Sequence, residues 1–383
     1  MGLRVQSKSA RPKRILMTTD TVGGVWSYSI DLARHLCRQG SNILLATMGR
    51  RATDSQRNEA GAIHGLEFVD SQFPLEWMPG VTDEALAEAS EWLLCLSRQF
   101  GPEVAHLNDY VHAGAGWDVP TVVVGHSCVF SWWLAVHGCE PPQEWQNYKQ
   151  RVTRGIQAAS AVAAPSQSMA KSLQQLYGCD PDKLTVISNF SDLKTSPKPK
   201  RPEIFAAGRF WDVAKNLRLL EQIASDLEWP IRVAGDLTEP DQDHAVPTRV
   251  QVEGFLSRTE MAERLAESSI FVHPAKYEPF GLSVLEAARS GCALVLSDIP
   301  SLRELWDGCA SFASPEDAQS WVGALQTLIS SPSTRDQYGR RALKRSQTFS
   351  TANAGAAYGR LYDSVIAGNS GLAINGRRTR LSA

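Results

Sequence analysis

Two carboxylates flank a glycine in the stretch Glu278-Pro-Phe-Gly281-Leu282-Ser-Val-Leu-Glu286. The run Ile270 to His273 before it is short and apolar, which predicts a buried strand. Pro279 and Gly281 punctuate the chain, and Phe280 to Arg289 then reads as a helix with Leu282, Leu285 and Ala288 on its apolar stripe. Glu278 therefore falls in a loop at a strand's carboxyl end, and Glu286 lies inside the helix. Such a pair can hydrogen-bond two parts of one polyhydroxyl ligand. Gly281 lets a ligand approach the backbone, and the start of that helix turns free N–H groups toward the same place, which suits an anion. A second group, Gly208-Arg209-Phe-Trp-Asp-Val-Ala-Lys215-Asn216, follows another apolar strand. Arg209 ends that strand region and Lys215 begins the next helix. Two cations beside a helix N-terminus form a site for a diphosphate; alone, they read equally well as surface residues capping loops.

Other candidates sit at predicted strand ends. His126 closes Val122-Val-Val-Gly-His126, and a lone strand-end histidine is more often structural than catalytic. Gly23 and Gly24 follow the first strand and serve either a tight turn or the close approach of a ligand; the matching parts later in the chain favour the ligand. Asp20, His106, Asn108, Asp109 and Tyr110 are weaker candidates for an acceptor pocket. Trp132 and Trp133, within Cys128 to Val136, read as core packing, as an acceptor platform or as a membrane-facing loop.

The paired glutamates with Pro-Phe-Gly between them resemble the donor-site motif of the retaining family 4 glycosyltransferases. The resemblance runs from about Arg14 to Ile366, and Gly208-Arg209 with Lys215 is similar to the family's phosphate-binding segment. Val186-Ile-Ser-Asn-Phe-Ser-Asp192 is similar to the segment before the linker, although Phe190 stands where a glycine is usual. The resemblance implies a GT-B architecture and transfer of a hexose from a UDP- or GDP-sugar to a hydroxyl on a glycan, a lipid-linked or a small-molecule acceptor. It implies front-face substitution, with the departing phosphate helping to deprotonate the acceptor. By position, Glu278 holds the hexose, Glu286 meets the ribose, and Arg209 and Lys215 stabilise the leaving group. It also places a histidine at His126, near the donor sugar and acceptor. No nucleophile is identifiable. No Asp-x-Asp stands at a strand end of the first domain, so neither a metal nor another cofactor is expected. A sugar-nucleotide epimerase of the same fold and a catalytically silent binder are the rival readings.

These side chains need strand ends on two facing domains. Arg14 to Thr19 is apolar on both faces, as a buried parallel strand requires. Apolar strands alternate with helices up to Leu184–Ile187, and again from Glu203. That alternation predicts an α/β fold of two doubly wound, Rossmann-like domains facing a cleft. The divisions read as a basic tail at 1–13, a first domain at 14–192, and a linker at 193–202 rich in Lys and Pro. A second domain follows at 203–350, then a returning helix at 351–366 carrying Tyr358, Leu361 and Tyr362, and a disordered tail at 367–383.

Composition excludes other classes. The chain has 383 residues, 43% hydrophobic and 21% charged, with a net charge of −2, which supports no nucleic-acid partner. Seven scattered cysteines without a C-x-x-C pair read as reduced cytosolic thiols rather than a zinc site. No apolar run approaches the roughly 18 residues of a membrane span, and Met1 to Arg14 lacks the apolar core of a secretory signal. A cytoplasmic protein is expected. The basic clusters Arg11-Pro-Lys-Arg14, Lys194 to Arg201 and Arg377-Arg-Thr-Arg380 read as solvated tails and linker, or as peripheral contact with the inner face of an anionic membrane.

Overall fold

The computed structural model describes residues 11–237 and 247–379. Seven strands form the first sheet: β1 (Arg14–Asp20), β2 (Asn42–Met48), β3 (Leu66–Asp70), β4 (Val104–Leu107), β5 (Thr121–Val124), β6 (Ala161–Ala164) and β7 (Leu184–Val186). All pair in parallel, in the order β3-β2-β1-β4-β5-β6-β7. The second sheet holds β8 (Arg201–Ala207), β9 (Ile231–Ala234), β10 (Gln251–Gly254), β11 (Ser268–His273), β12 (Ala293–Ser297) and β13 (Ser311–Ala313). It is also parallel, in the order β10-β9-β8-β11-β12-β13. The doubly wound α/β expectation therefore holds for both halves. Each sheet reverses its winding once, between β1 and β4 and between β8 and β11. Ligands of such sheets sit outside the carboxyl ends of the strands at that reversal.

Burial explains why these segments are strands. Leu16 and Met17 are both inaccessible on opposite faces of β1, as are Phe271 and Val272 on β11. Helices cover both sides of each sheet, so these central strands have no solvated face to mark with polar residues. The last helix, Thr351–Thr379, crosses back to the first domain. Ala354, Tyr358 and Tyr362 are buried in its core, with Leu361 packed against them.

Several expectations are corrected. The final helix continues to Thr379, so 367–379 is not a disordered tail; 380–383 lie outside the described residues. Its later turns carry few apolar residues, so no core-facing stripe announced them. Residues 1–10 of the basic tail also lie outside. Lys13 is not a solvated tail residue: it is buried and pairs with Asp363 at 2.9 Å. Arg11 pairs with Glu103 at 2.7 Å. The linker ends at 200, because β8 begins at Arg201. Cys128 to Val136 is not a loop but leads into the helix Val129–His137, capped by Cys128. Trp132 and Trp133 on it are half-buried and belong to no core cluster. Lys215 does not open a helix. It ends the 3-10 turn Val213–Lys215, and the helix Leu217–Ile223 starts after Asn216, whose φ of 57° breaks the two apart. Among the described residues, no helix is long and apolar enough to cross a membrane.

Candidate functional site

Glu278 follows β11, and its neighbours hold it rigidly. Lys215 Nζ donates to its Oε2 at 2.8 Å, His273 Nε2 lies 3.0 Å from the same oxygen, and the Phe280 N–H reaches Oε1 at 3.3 Å. Ser301 Oγ donates to its backbone carbonyl. Burial alone would raise the carboxyl's pKa. The Lys215 charge and the His273 bond outweigh that and hold it well below the usual carboxylate range. His273 was not singled out from sequence, although it ends the strand leading into the motif. Burial lowers its own pKa against the pull of Glu278.

Arg209 lies after β8, across the reversal point from Glu278. Its Nη1 donates to the Val22 carbonyl of the first domain at 3.3 Å, and its guanidinium stacks over Trp211 at 5.4 Å. Among the described residues no carboxylate forms an ion pair with it. Gly23, at φ 153°, faces this side chain: a Cβ there would come within 3.4 Å of Arg209 Nη1. A Cβ on Gly24 would come within 3.4 Å of Leu282. The glycine turn of one domain thus meets Arg209 and the helix Leu282–Arg289 of the other. The helices Gly24–Arg38 and Leu282–Arg289 are capped by Gly23 and Gly281, with no side-chain hydrogen bond to their first N–H groups. Side-chain oxygens cap Asp54, Asp83, Gln167 and Arg258 at their helix starts. The helices Gln146–Ala158, Leu217–Ile223 and Pro300–Trp306 also lack a side-chain cap; the two capped by Gly23 and Gly281 start beside Arg209 and Glu278, where an anion can satisfy their N–H groups. Gly281 has φ 86° and its Cβ position is crowded by Val284 and Glu278, so only glycine fits.

Glu286 sits in a different environment. Its Oε1 accepts from Ser191 Oγ at 2.7 Å, at the crossover between domains, and Oε2 has no partner among the described residues. Burial raises its pKa, opposed by Ser191 and the nearby Arg258. Arg258 bonds both oxygens of Asp31 at 2.8 Å, joining the domains, and Asp31 also accepts from the Asp192 N–H at 2.7 Å. Sequence reading missed Asp31 and Arg258, which carry no motif, and did not single out Ser191 within the segment Val186–Asp192.

On the first domain, His126 follows β5 and is half-buried, with Nε2 2.8 Å from Asn108 Oδ1. Burial, and then the neighbouring His106, push its pKa down to about 3. Asp20 accepts from the Val22 N–H at 2.9 Å. Burial raises its pKa, offset by that bond and by Arg209. The acceptor candidates separate here. Asp109 and Tyr110 are buried and occupied: Asp109 accepts from Thr18 and from the His112 N–H, while Tyr110 donates to the Ser127 carbonyl. These two shape the first domain rather than line a pocket. Asn108 supports His126. Trp132 reaches across the cleft and donates to Asp212 Oδ1 at 3.0 Å, and Asp212 caps the turn that presents Lys215. Its ring packs on Trp133 and His137. Among the described residues, no group of three or more His, Cys, Asp or Glu has the arrangement to hold a metal ion.

The model of Glycosyltransferase Family 4 matches residues 22–195, and that of Glycosyl transferases group 1 matches residues 190–345. The chain is 26% identical over 361 residues to a glycogen synthase of Mycobacterium tuberculosis, covering 83% of this chain and 84% of that protein. It superposes on sucrose-phosphate synthase from Thermosynechococcus elongatus with a TM-score of 0.75, 17% identity, and coverage of 93% and 100%. It superposes on Anabaena HepE in complex with UDP and glucose with a TM-score of 0.73, 17% identity, and coverage of 92% and 100%. Both neighbours share the two-domain GT-B fold.

Proposed function

Because the chain belongs to glycosyltransferase family 4, we propose that it moves a hexose from a nucleotide-diphosphate sugar, UDP- or GDP-linked, to a hydroxyl acceptor, with retention and without a metal. The observation that carries this reading is Arg209, a cation with no ion-pair partner among the described residues, set between two helix N-termini closed only by glycines. A diphosphate supplies the charge that Arg209 lacks and the acceptors those N–H groups lack. Lys215 is already paired with Glu278 at 2.8 Å, which fixes its ammonium beside a carboxylate able to take sugar hydroxyls. As the bond from sugar to phosphate breaks, negative charge grows on the phosphate, and Arg209 and Lys215 stabilise it without reorganising. Glu286 takes the ribose diol with its open oxygen. The departing phosphate accepts the acceptor's proton on the same face. Binding of UDP and glucose by HepE, of the same fold, supports the nucleotide-sugar class.

The test has two stages. A thermal-shift screen of UDP- and GDP-sugars finds the donor, because a bound ligand raises the melting temperature by mass action. Proton NMR of the product then reads the anomeric configuration. Retained configuration supports the proposal and inversion overturns it. Product formed without acceptor indicates an epimerase, and binding without turnover indicates a silent binder.

A further inference from the structure

Asn108, His126, His106 and Tyr362 form a hydrogen-bonded chain in which Asn108 sets the proton position of His126. Asn108 Nδ2 lies 2.6 Å from the Thr18 carbonyl oxygen and 3.2 Å from Ser29 Oγ. A carbonyl only accepts, so the amide NH2 faces it and the amide oxygen faces the histidines. That oxygen is 2.8 Å from His126 Nε2 and 3.3 Å from His106 Nε2. It carries no proton, so His126, at 2.8 Å, must carry its own on Nε2. His106 Nε2 also lies 3.4 Å from the Tyr28 hydroxyl and its Nδ1 lies 2.7 Å from the Tyr362 hydroxyl, groups that serve either tautomer of His106.

His126 Nδ1 is left as a lone pair. Among the described residues no protein group bonds it, and it is not among the buried polar atoms that lack partners. It is therefore open to solvent at the carboxyl end of β5. The Tyr28 ring packs against the imidazole in a T-shaped arrangement, with centroids 4.6 Å apart. The titratable groups in contact with His126 are Tyr28 and, through Asn108, His106; none is an anion at neutral pH, so nothing favours the imidazolium.

We propose that Asn108 is a positioning residue that fixes His126 as the Nε2–H tautomer, so that Nδ1 accepts a hydrogen bond from a ligand hydroxyl. This defines the chemistry of the group in front of His126. It is a donor such as a sugar hydroxyl, and not a phosphate or carboxylate oxygen, which would meet a lone pair with a lone pair. That the hydroxyl belongs to a sugar rests on the glycosyltransferase reading; the tautomer does not.

The test is made on ligand-free, full-length protein labelled with nitrogen-15 in its histidine rings. Long-range proton–nitrogen correlation shows which ring nitrogen bears the proton, with the His126 signal assigned by its loss in His126→Gln. The expected result is a single Nε2–H tautomer, unchanged from pH 5 to pH 8. A proton on Nδ1, or an imidazolium in that range, overturns the proposal. Asn108→Leu removes the acceptor, and the single tautomer should give way to exchange between the two. Persistence of pure Nε2–H in that variant also overturns the role of Asn108. Asn108→Asp places a carboxylate on Nε2–H, which stabilises the imidazolium, so His126 should begin to titrate between pH 5 and pH 8. An unchanged spectrum there counts against the proposal. Should the leucine variant fail to fold, the wild-type and aspartate spectra decide. A chain that binds no nucleotide-sugar but shows this tautomer would refute the proposed function and leave the role of Asn108 standing.

Discussion

Replacing Lys215 by Met removes a charge and keeps most of the side-chain stem. Lys215 Nζ and Glu278 Oε2 are 2.8 Å apart, with side chains 14% and 13% exposed. Turnover should fall about 10²–10³-fold, the usual loss for one electrostatic stabiliser of a developing oxyanion. Stability should fall as well. Stripping one partner from a buried ion pair costs about 3–5 kcal/mol when the other charge is left bare. Here His273 still bonds Glu278 and a little water reaches it, so about 1–3 kcal/mol is expected, near the cost of an unsatisfied buried polar group. The pH dependence has a definite sign. The folded-state pKa of Glu278 is depressed, so its contribution is present above the unfolded carboxyl pKa of about 4.3 and is lost as pH falls toward the folded value. The variant's deficit should therefore be full at pH 7 and shrink below about pH 4. Thermal melts of both proteins across that range measure it, at about 2–4 °C per kcal/mol for domains of this size. A deficit equal at pH 7 and at pH 3, or wild-type turnover, would refute the reasoning.

The same pair yields a companion test. Lys215→Met combined with Glu278→Gln leaves no bare charge, so the double variant should recover most of the lost melting temperature while activity stays low; recovery of neither would mean the pair is not the source of the deficit. Glu286→Ala should weaken UDP or GDP binding, at about 1.5–3 kcal/mol per charged hydrogen bond lost, whereas Glu278→Ala should leave it nearly unchanged. Calorimetric titration with the free nucleotide separates the two, and equal losses would show that the donor lies otherwise in the cleft. Turnover should survive EDTA; complete loss, restored by Mg²⁺ or Mn²⁺, would reveal a metal requirement.

The fold was legible because parallel strands covered on both faces read as unbroken apolar runs. Ala161–Ala164 is such a run and forms β6, and Ser166 caps the helix after it through the Met169 N–H as its type suggests. The helix Asp54–Gly61 was missed because Ala60 is its only buried residue, so it has no stripe to detect; its Thr53–Gln56 capping box was the signal available. At the site, a strand-end position tells that a side chain is near the cleft and not where it points. Asp20, Asn108, Asp109 and Tyr110 all satisfied the positional rule. Yet Tyr110 turns inward to the Ser127 carbonyl and Asp109 to Thr18. Partners distant in sequence, such as Ser191 for Glu286 or Tyr362 for His106, leave no local pattern at all.

The two glutamates of one short motif divide the cleft because each is tied to a different part of the frame. Glu286 bonds Ser191 at the crossover, where Arg289 also donates to the Ser191 carbonyl and Arg258 clasps Asp31. That end combines the covalent connection between the domains with an ion pair that spans them. Glu278 and Lys215 lie where the first domain meets β11 and the helix Pro300–Trp306: Ser166 donates to the Pro279 carbonyl at 2.7 Å, and Glu304 accepts from the Gln167 and Ser168 N–H groups at 2.7 and 2.9 Å. There Trp132 meets Asp212, and Tyr277 bonds Ser131 at 2.7 Å. Such contacts are each worth about 1 kcal/mol and can be exchanged for contacts to a ligand. Under the proposed reading, a nucleotide bonded to Glu286 lies at the covalent crossover of the domains, and the sugar lies beside Glu278 and Lys215.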